Sequence, residues 1–151
     1  MSISSIALQI LLIFGATIGF AMTVQAPNRS LLVAGTIGAI SYVPNLIATY
    51  IANNIYYGVA FGVASVTALS FFAARRYHIP AFILLVPGLV PYFPGQKLYL
   101  MIMSLFQFDK AVFITNTEGF VETSVCIYGS MVAVNLMLSF IMKGIKKYKQ
   151  A

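Results

Sequence analysis

The stretch Pro80-Ala-Phe-Ile-Leu-Leu-Val-Pro-Gly-Leu-Val-Pro-Tyr-Phe-Pro-Gly-Gln-Lys-Leu-Tyr99 decides how the chain must be read. It is apolar enough to enter a bilayer, yet it holds Pro87, Pro91 and Pro94, with Gly88 and Gly95 beside two of them. A proline lacks an N–H and crowds the carbonyl four residues back, here those of Ile83, Pro87 and Val90. The residue before each proline is pushed away from helical dihedrals. One straight helix is therefore excluded. In hydrocarbon, unpaired backbone groups are costly, so irregular backbone persists only where protein covers it or where it lines a cavity. Broken spans of this kind are where secondary transporters often hold their substrate. The other reading is a packing kink, and three prolines in so short a stretch favour the first. With a helix starting near Pro80, Val86 falls about 10 Å and Gly95 about 24 Å along it, which puts Pro87-Gly88 near a bilayer midplane.

The rest of the chain fits a membrane setting. It is 60% hydrophobic and only 8% charged, with a mean hydropathy of +0.92. So few charges cannot clothe a soluble core. The net charge of +6 is not a nucleic-acid signal, because the basic residues are grouped at loop positions. Lys143, Lys146, Lys147 and Lys149 form a C-terminal tail, and Arg75-Arg76 forms a short loop. Such clusters mark cytoplasmic segments. Cys126 is the single cysteine and cannot form an intrachain disulfide. His78 is the single histidine, so a metal site is not expected, nor is any cofactor. The chain also lacks a nucleophile–base pair and a phosphate-binding glycine loop, which makes an enzyme the weakest class.

Outward from the central stretch, apolar runs approach the roughly 20 residues a spanning helix needs. Residues 3–24 form the first. Gly15 and Gly19 within it are spaced to admit a neighbouring helix, and the lack of a basic leader argues against a signal peptide. Residues 31–52 form the second, where Ser41, Asn45, Thr49 and Asn53 share one helical face and Pro44 frees the carbonyl of Ile40. That stripe either lines a pathway or bonds helices together. Residues 55–74 form a third, tightly packed run. Residues 79–106 hold the break. As straight helix, 79–108 would reach about 45 Å, too long for a core of about 30 Å. Residues 107–120 read as a loop. Residues 121–142 form the last span, with Asn135 as a buried amide and Glu122 favoured at a helix start. The expected fold is a single domain over 1–151, an all-α integral membrane protein of about five transmembrane helices, the fourth broken at the Pro/Gly-rich segment.

The charge bias orients such a protein. With the N-terminus outside, Arg29, Arg75-Arg76 and the lysine tail all fall inside. Tyr50, Tyr56 and Tyr57 then lie at the outer interface, with Tyr77 and Tyr148 at the inner one.

Pro87-Gly-Leu-Val-Pro-Tyr-Phe-Pro-Gly95, followed by Leu98-Tyr99, resembles the Pro-Gly…Pro…Pro-Gly…Tyr signature of the threonine/serine exporter family. Length and span count resemble its small C-terminal half, which can occur as a separate YjjB-type subunit. The resemblance implies a bacterial inner-membrane location and a larger five-span, YjjP-type partner with a soluble N-terminal region. It also implies export of threonine and serine, or of dicarboxylates such as succinate. An odd span number reverses the chain, so two five-span halves would form inverted repeats suited to alternating access. A non-transporting scaffold and an oligomeric channel are the alternatives, and higher oligomers are compatible with each. The resemblance brings no settled site residues, so the candidates come from position and chemistry. They are the broken segment itself (Pro87, Gly88, Pro91, Pro94, Gly95, Gln96, Lys97 and Tyr99), together with Asn45 and Asn135 as mid-span amides. Lys97 follows backbone N–H groups that suit an anion if a half-helix begins at Gly95; otherwise it snorkels to outer headgroups. If export is coupled to protons, Glu122 or the partner must carry them.

Overall fold

The computed structural model describes the backbone of residues 3–149 and the side chains of residues 4–143. The lysine tail beyond Lys143, with Tyr148, lies outside those described side chains. The described backbone is helical with no strand: α1 (Ile3–Thr23), α2 (Asn28–Ala52), α3 (Ile55–Tyr77), α4 (Ala81–Leu89), a 3-10 turn at Val90–Tyr92, α5 (Gly95–Phe106) and α6 (Lys110–Lys149). Four of these, α1, α2, α3 and the part of α6 up to Lys143, are long and apolar enough to cross a membrane.

Local chemistry sets the helix ends. Asn53 closes α2 in the left-handed region, and the Asn54 side chain accepts a bond from the Tyr56 N–H at 2.9 Å to start α3. Arg75 and Arg76 sit in the last turn of α3, where the helix dipole favours cations. His78 then turns left-handed, and the Ile79 N–H bonds the Ala74 carbonyl at 3.0 Å. His78 is thus a helix-ending residue. α2 continues through Pro44 as a single helix.

Three local readings change. Residues 107–120 are not a loop, because α6 begins at Lys110 and runs 40 residues. Asp109 caps it, its Oδ1 accepting from the N–H groups of Ala111 (3.1 Å) and Val112 (3.2 Å). The polar residues that resembled a loop satisfy themselves within the helix: Thr115, Asn116 and Thr117 donate to the carbonyls of Ala111, Val112 and Phe113. It follows that Glu122 does not cap a helix start. It lies inside α6, and its carboxylate accepts from the Tyr56 hydroxyl. The interruption in the central stretch also comes later than Pro87. α4 passes through Pro87-Gly88 and stops at Leu89, and Val90 before Pro91 keeps helical dihedrals. Only Phe93 before Pro94 is driven extended, with ψ 129°. Pro87 lies in the last turn of a nine-residue helix, so only the bond to the Ile83 carbonyl is lost with its missing donor.

The core lies where α2, α3 and α4 meet, with Ile37, Val63, Val66, Leu84 and Tyr92 buried together. α1 packs on α2 and α4, and α6 packs on α3 and α5. Small residues bring the backbones close. A Cβ at Gly88 would sit 2.8 Å from a Val66 methyl, and one at Gly62 would sit 2.7 Å from Cζ of Tyr92. Gly15 and Gly19, by contrast, face open space. The contacts Gly88 to Val66, Tyr92 to Gly62 and Lys97 to Tyr56 show the broken segment running antiparallel along α3 for nearly its whole length. α6 runs parallel to α3, touching it at Tyr56 with Glu122 and at Arg75 with Met142. Beyond the start of α3, α5 and the first turns of α6 continue together as an antiparallel hairpin.

Candidate functional site

The segment between α4 and α5 forms one side of a cavity of about 380 Å3. Pro91 through Lys97 line it, facing Tyr42 and Asn45 of α2, Ile55 and Val59 of α3, and Thr123 of α6. Four elements thus converge at the N-terminal end of α3. The prolines account for the shape. Phe93 is extended and Pro94 has ψ 54°, so the chain steps sideways before α5 starts at Gly95. The first residues of α5, Gly95 to Lys97, therefore open onto the cavity, which is the geometry of a helix N-terminus that can receive an anion.

Below the cavity the structure is closed by hydrogen bonds. The Tyr92 ring is buried, and its hydroxyl donates to Ser41 Oγ at 3.0 Å. Ser41, fully buried, donates in turn to the Gly38 carbonyl at 2.8 Å. At the side, the Tyr42 hydroxyl donates to Gln9 Oε1 of α1 at 3.1 Å. These bonds tie α1, α2 and the broken segment together beneath the cavity.

The charge is one-sided. Among the described lining residues Lys97 is the sole cation, and no carboxylate lines the cavity. Its Nζ donates to the Gly119 carbonyl of α6 at 3.0 Å and stands 5.4 Å from the centre of the Tyr56 ring. Gly119 O also accepts from Thr123 Oγ1 at 2.7 Å. Asn45, Gln96 and the hydroxyls of Tyr42 and Thr123 supply neutral donors and acceptors. No group of three or more metal-ligating side chains exists among the described residues.

Six of the residues singled out in the sequence meet here: Asn45, Pro91, Pro94, Gly95, Gln96 and Lys97. Four do not line the cavity. Gly88 packs against Val66 and Ile37, and Pro87 borders a separate space of about 160 Å3 next to Val24–Ala26. Tyr99 is exposed on α5, and Asn135 is exposed on α6. Tyr42, Tyr92 and Thr123 were not singled out. Tyr92 sits inside the Pro-Tyr-Phe-Pro run and was within reach of sequence reading. Thr123 was not, because nothing in the sequence says that α6 meets the broken segment.

Membrane-length apolar helices around a largely apolar cavity with one cation, at a discontinuous segment, define a multi-pass membrane protein with the layout of a transporter. The chain belongs to the threonine/serine exporter (ThrE) family, whose family model matches residues 9–142. No curated protein and no solved structure matches it.

Proposed function

We propose that this chain is one subunit of a secondary transporter that exports small carboxylate-bearing metabolites, threonine and serine or a dicarboxylate such as succinate. The observation that carries this reading is the cavity itself, where Pro91–Lys97 face Asn45 across a space whose one charged lining residue is a lysine. A carboxylate is the group such a lining recognises: an ammonium, amide N–H groups and hydroxyls to bind it, and a helix start beside it. Zwitterionic serine or threonine would need a partner for its amino group, from Asn45 or from a second subunit. A dicarboxylate would need none.

Transport proceeds in this reading by alternating access with a larger five-span subunit. The chain crosses a bacterial inner membrane about five times, with α4, the 3-10 turn and the start of α5 as the fourth crossing. The antiparallel course of that segment along α3 supports this count. The basic residues at Arg29, Arg75-Arg76 and Lys143 support an outer N-terminus and an inner C-terminus. The cavity is then open toward the outside, and Tyr92 with Ser41 closes it toward the inside.

The test is flux of labelled serine and succinate from loaded vesicles containing the assembled complex, normalised to folded complex. Pro94→Ala removes the proline that drives Phe93 extended, letting the segment rebuild as helix, and Gly95→Ala puts a methyl group at the cavity wall. Each should lower flux strongly at unchanged assembly, the loss of one hydrogen bond alone being worth roughly threefold to tenfold in affinity. Wild-type flux from both variants would show that the interruption is only structural.

A further inference from the structure

Lys97 stands where three helices meet, and its surroundings hold the ammonium without neutralising it. It lies along Gly119 so closely that a Cβ there would be 2.6 Å from Nζ, 3.0 Å from Cε and 3.1 Å from Cδ. The notch exists because residue 119 has no side chain. The ammonium donates to the neutral Gly119 carbonyl at 3.0 Å and faces the Tyr56 ring. Glu122 lies three residues beyond Gly119 on α6, about one helical turn away. Yet its bond is to the Tyr56 hydroxyl. Tyr56 therefore presents its ring to the cation and its hydroxyl to the anion, and stands between them.

This arrangement matters because an ion pair would quench the one charge that lines the cavity. An ammonium has three N–H donors, and only one is taken by Gly119. The others remain for a ligand.

Resting on the reading of the cavity as a carboxylate site, we propose that Tyr56 and Gly119 are positioning residues. Gly119 supplies the notch and the carbonyl that set Lys97 at the cavity wall. Tyr56 insulates Lys97 from Glu122, so the cation stays available to a substrate carboxylate. Neither residue touches the substrate in this scheme, since Tyr56 and Gly119 do not line the cavity.

The experiment measures KM and maximal rate for labelled succinate and serine with the assembled complex in vesicles. Yield and melting temperature of the complex serve as the folding control. Gly119→Ala is a mild change, because alanine favours a helix more than glycine does and the atoms it meets belong to a flexible side chain. It should displace the ammonium and raise KM about tenfold, the value of one charge-assisted hydrogen bond, with little change in maximal rate. Tyr56→Leu should raise KM similarly, because Lys97 then pairs with Glu122. The double variant Tyr56→Leu/Glu122→Gln should restore KM, whereas Glu122→Gln should not rescue Gly119→Ala. A purely structural role for Tyr56 gives no such rescue.

Lys97→Ala separates the two levels of the argument. A wild-type KM in Lys97→Ala overturns the carboxylate reading of the cavity. A raised KM there, with wild-type values in Gly119→Ala and Tyr56→Leu, leaves the cavity reading standing and overturns the positioning role. A raised KM in Tyr56→Leu that Glu122→Gln does not lower overturns the insulation. If Tyr56→Leu fails to assemble, Gly119→Ala decides alone.

Discussion

Replacing Tyr92 by Phe removes a single oxygen from the floor of the cavity and should loosen the closure toward the inner side. The ring itself remains, packed against Gly62. What is lost is the 3.0 Å bond from the Tyr92 hydroxyl to Ser41 Oγ, in a place where both residues are buried. Ser41 keeps its own donor satisfied, because it still bonds the Gly38 carbonyl at 2.8 Å. No buried donor is orphaned, so the cost is the net worth of one hydrogen bond, about 0.5–1.5 kcal/mol. If that bond exists only in the state closed to the inside, the equilibrium shifts toward the opposite state by roughly twofold to tenfold. The assay is the rate at which a membrane-impermeant thiol reagent, applied from the inner side, modifies a cysteine at Ile37 in a chain with Cys126 replaced by Ala. Ile37 is buried beside Gly88, deeper than Tyr92, so its reactivity reports opening of the floor. Gly62→Ala is the stronger companion, since its Cβ would lie 2.7 Å from Tyr92 Cζ and 2.8 Å from the hydroxyl oxygen. Overpacking of that kind costs about 1–3 kcal/mol. The labelling rate should rise in Tyr92→Phe and rise further in Gly62→Ala. Unchanged rates in both variants would show that the Tyr92–Ser41 contact takes no part in closing the cavity.

Two further outcomes are expected. In a chain lacking Cys126, an impermeant thiol reagent added from outside should label a cysteine at Asn54 and spare one at Lys147; the reverse pattern would invert the proposed orientation. The purified single chain in liposomes should show no substantial flux of serine or succinate, because its cavity lining offers a cation but no acid; robust flux would remove the need for a second subunit.

The helices were legible where hydropathy alone decides them, as in α1, α2 and α3. The ends of those helices were legible in part: Asn53-Asn54 and His78 carry the chemistry that stops one helix or starts the next, but α2 begins at Asn28, not residue 31, and Arg75-Arg76, expected in a short loop, lie within α3. The start of α6 was misread for a physical reason. Asp109, Lys110, Asn116 and Glu118 look like loop residues in sequence, but Asp109 caps the helix and Asn116 returns a hydrogen bond to the Val112 carbonyl one turn back. Polarity in a helix that ends in water says little about whether the helix stops. The prolines posed a similar problem. Pro87, Pro91 and Pro94 look alike on paper, yet only the last drives its predecessor out of helical dihedrals.

The site was partly legible because its core is local. Pro91, Pro94, Gly95, Gln96 and Lys97 are close in sequence, and any bend among them keeps them together. Asn45 and Asn135 show why the rest was not legible. Both are amides in apolar helices, and both lie on polar-enriched faces. In a soluble helix the apolar face would point inward and settle the matter. A membrane helix is apolar on most sides, so periodicity tells which residues share a face but not which face meets the rest of the protein. Asn45 turned out to face the cavity and Asn135 the surface.

The length of α6 carries the remaining argument. Its apolar part, Lys110 to Lys143, spans 34 residues or about 51 Å, against a hydrocarbon core of about 30 Å. With Lys143 at the inner headgroups, the core is used up near Thr123, level with the cavity and with Tyr56. The first turns of α6, and α5 packed along them, then stand beyond the outer end of α3. That hairpin is not polar: Leu105, Phe106, Phe108 and Ile114 are all largely exposed on it. In the proposed orientation this apolar surface stands outside the bilayer, where it suits the docking of another protein. It lies directly above the mouth of a cavity that lacks an acid. A subunit seated on the hairpin would cover the exposed residues and could bring a negative group to a cavity whose described lining has none. In the proposed reading, one partner subunit would both cover this hairpin and supply the acid that the cavity lacks.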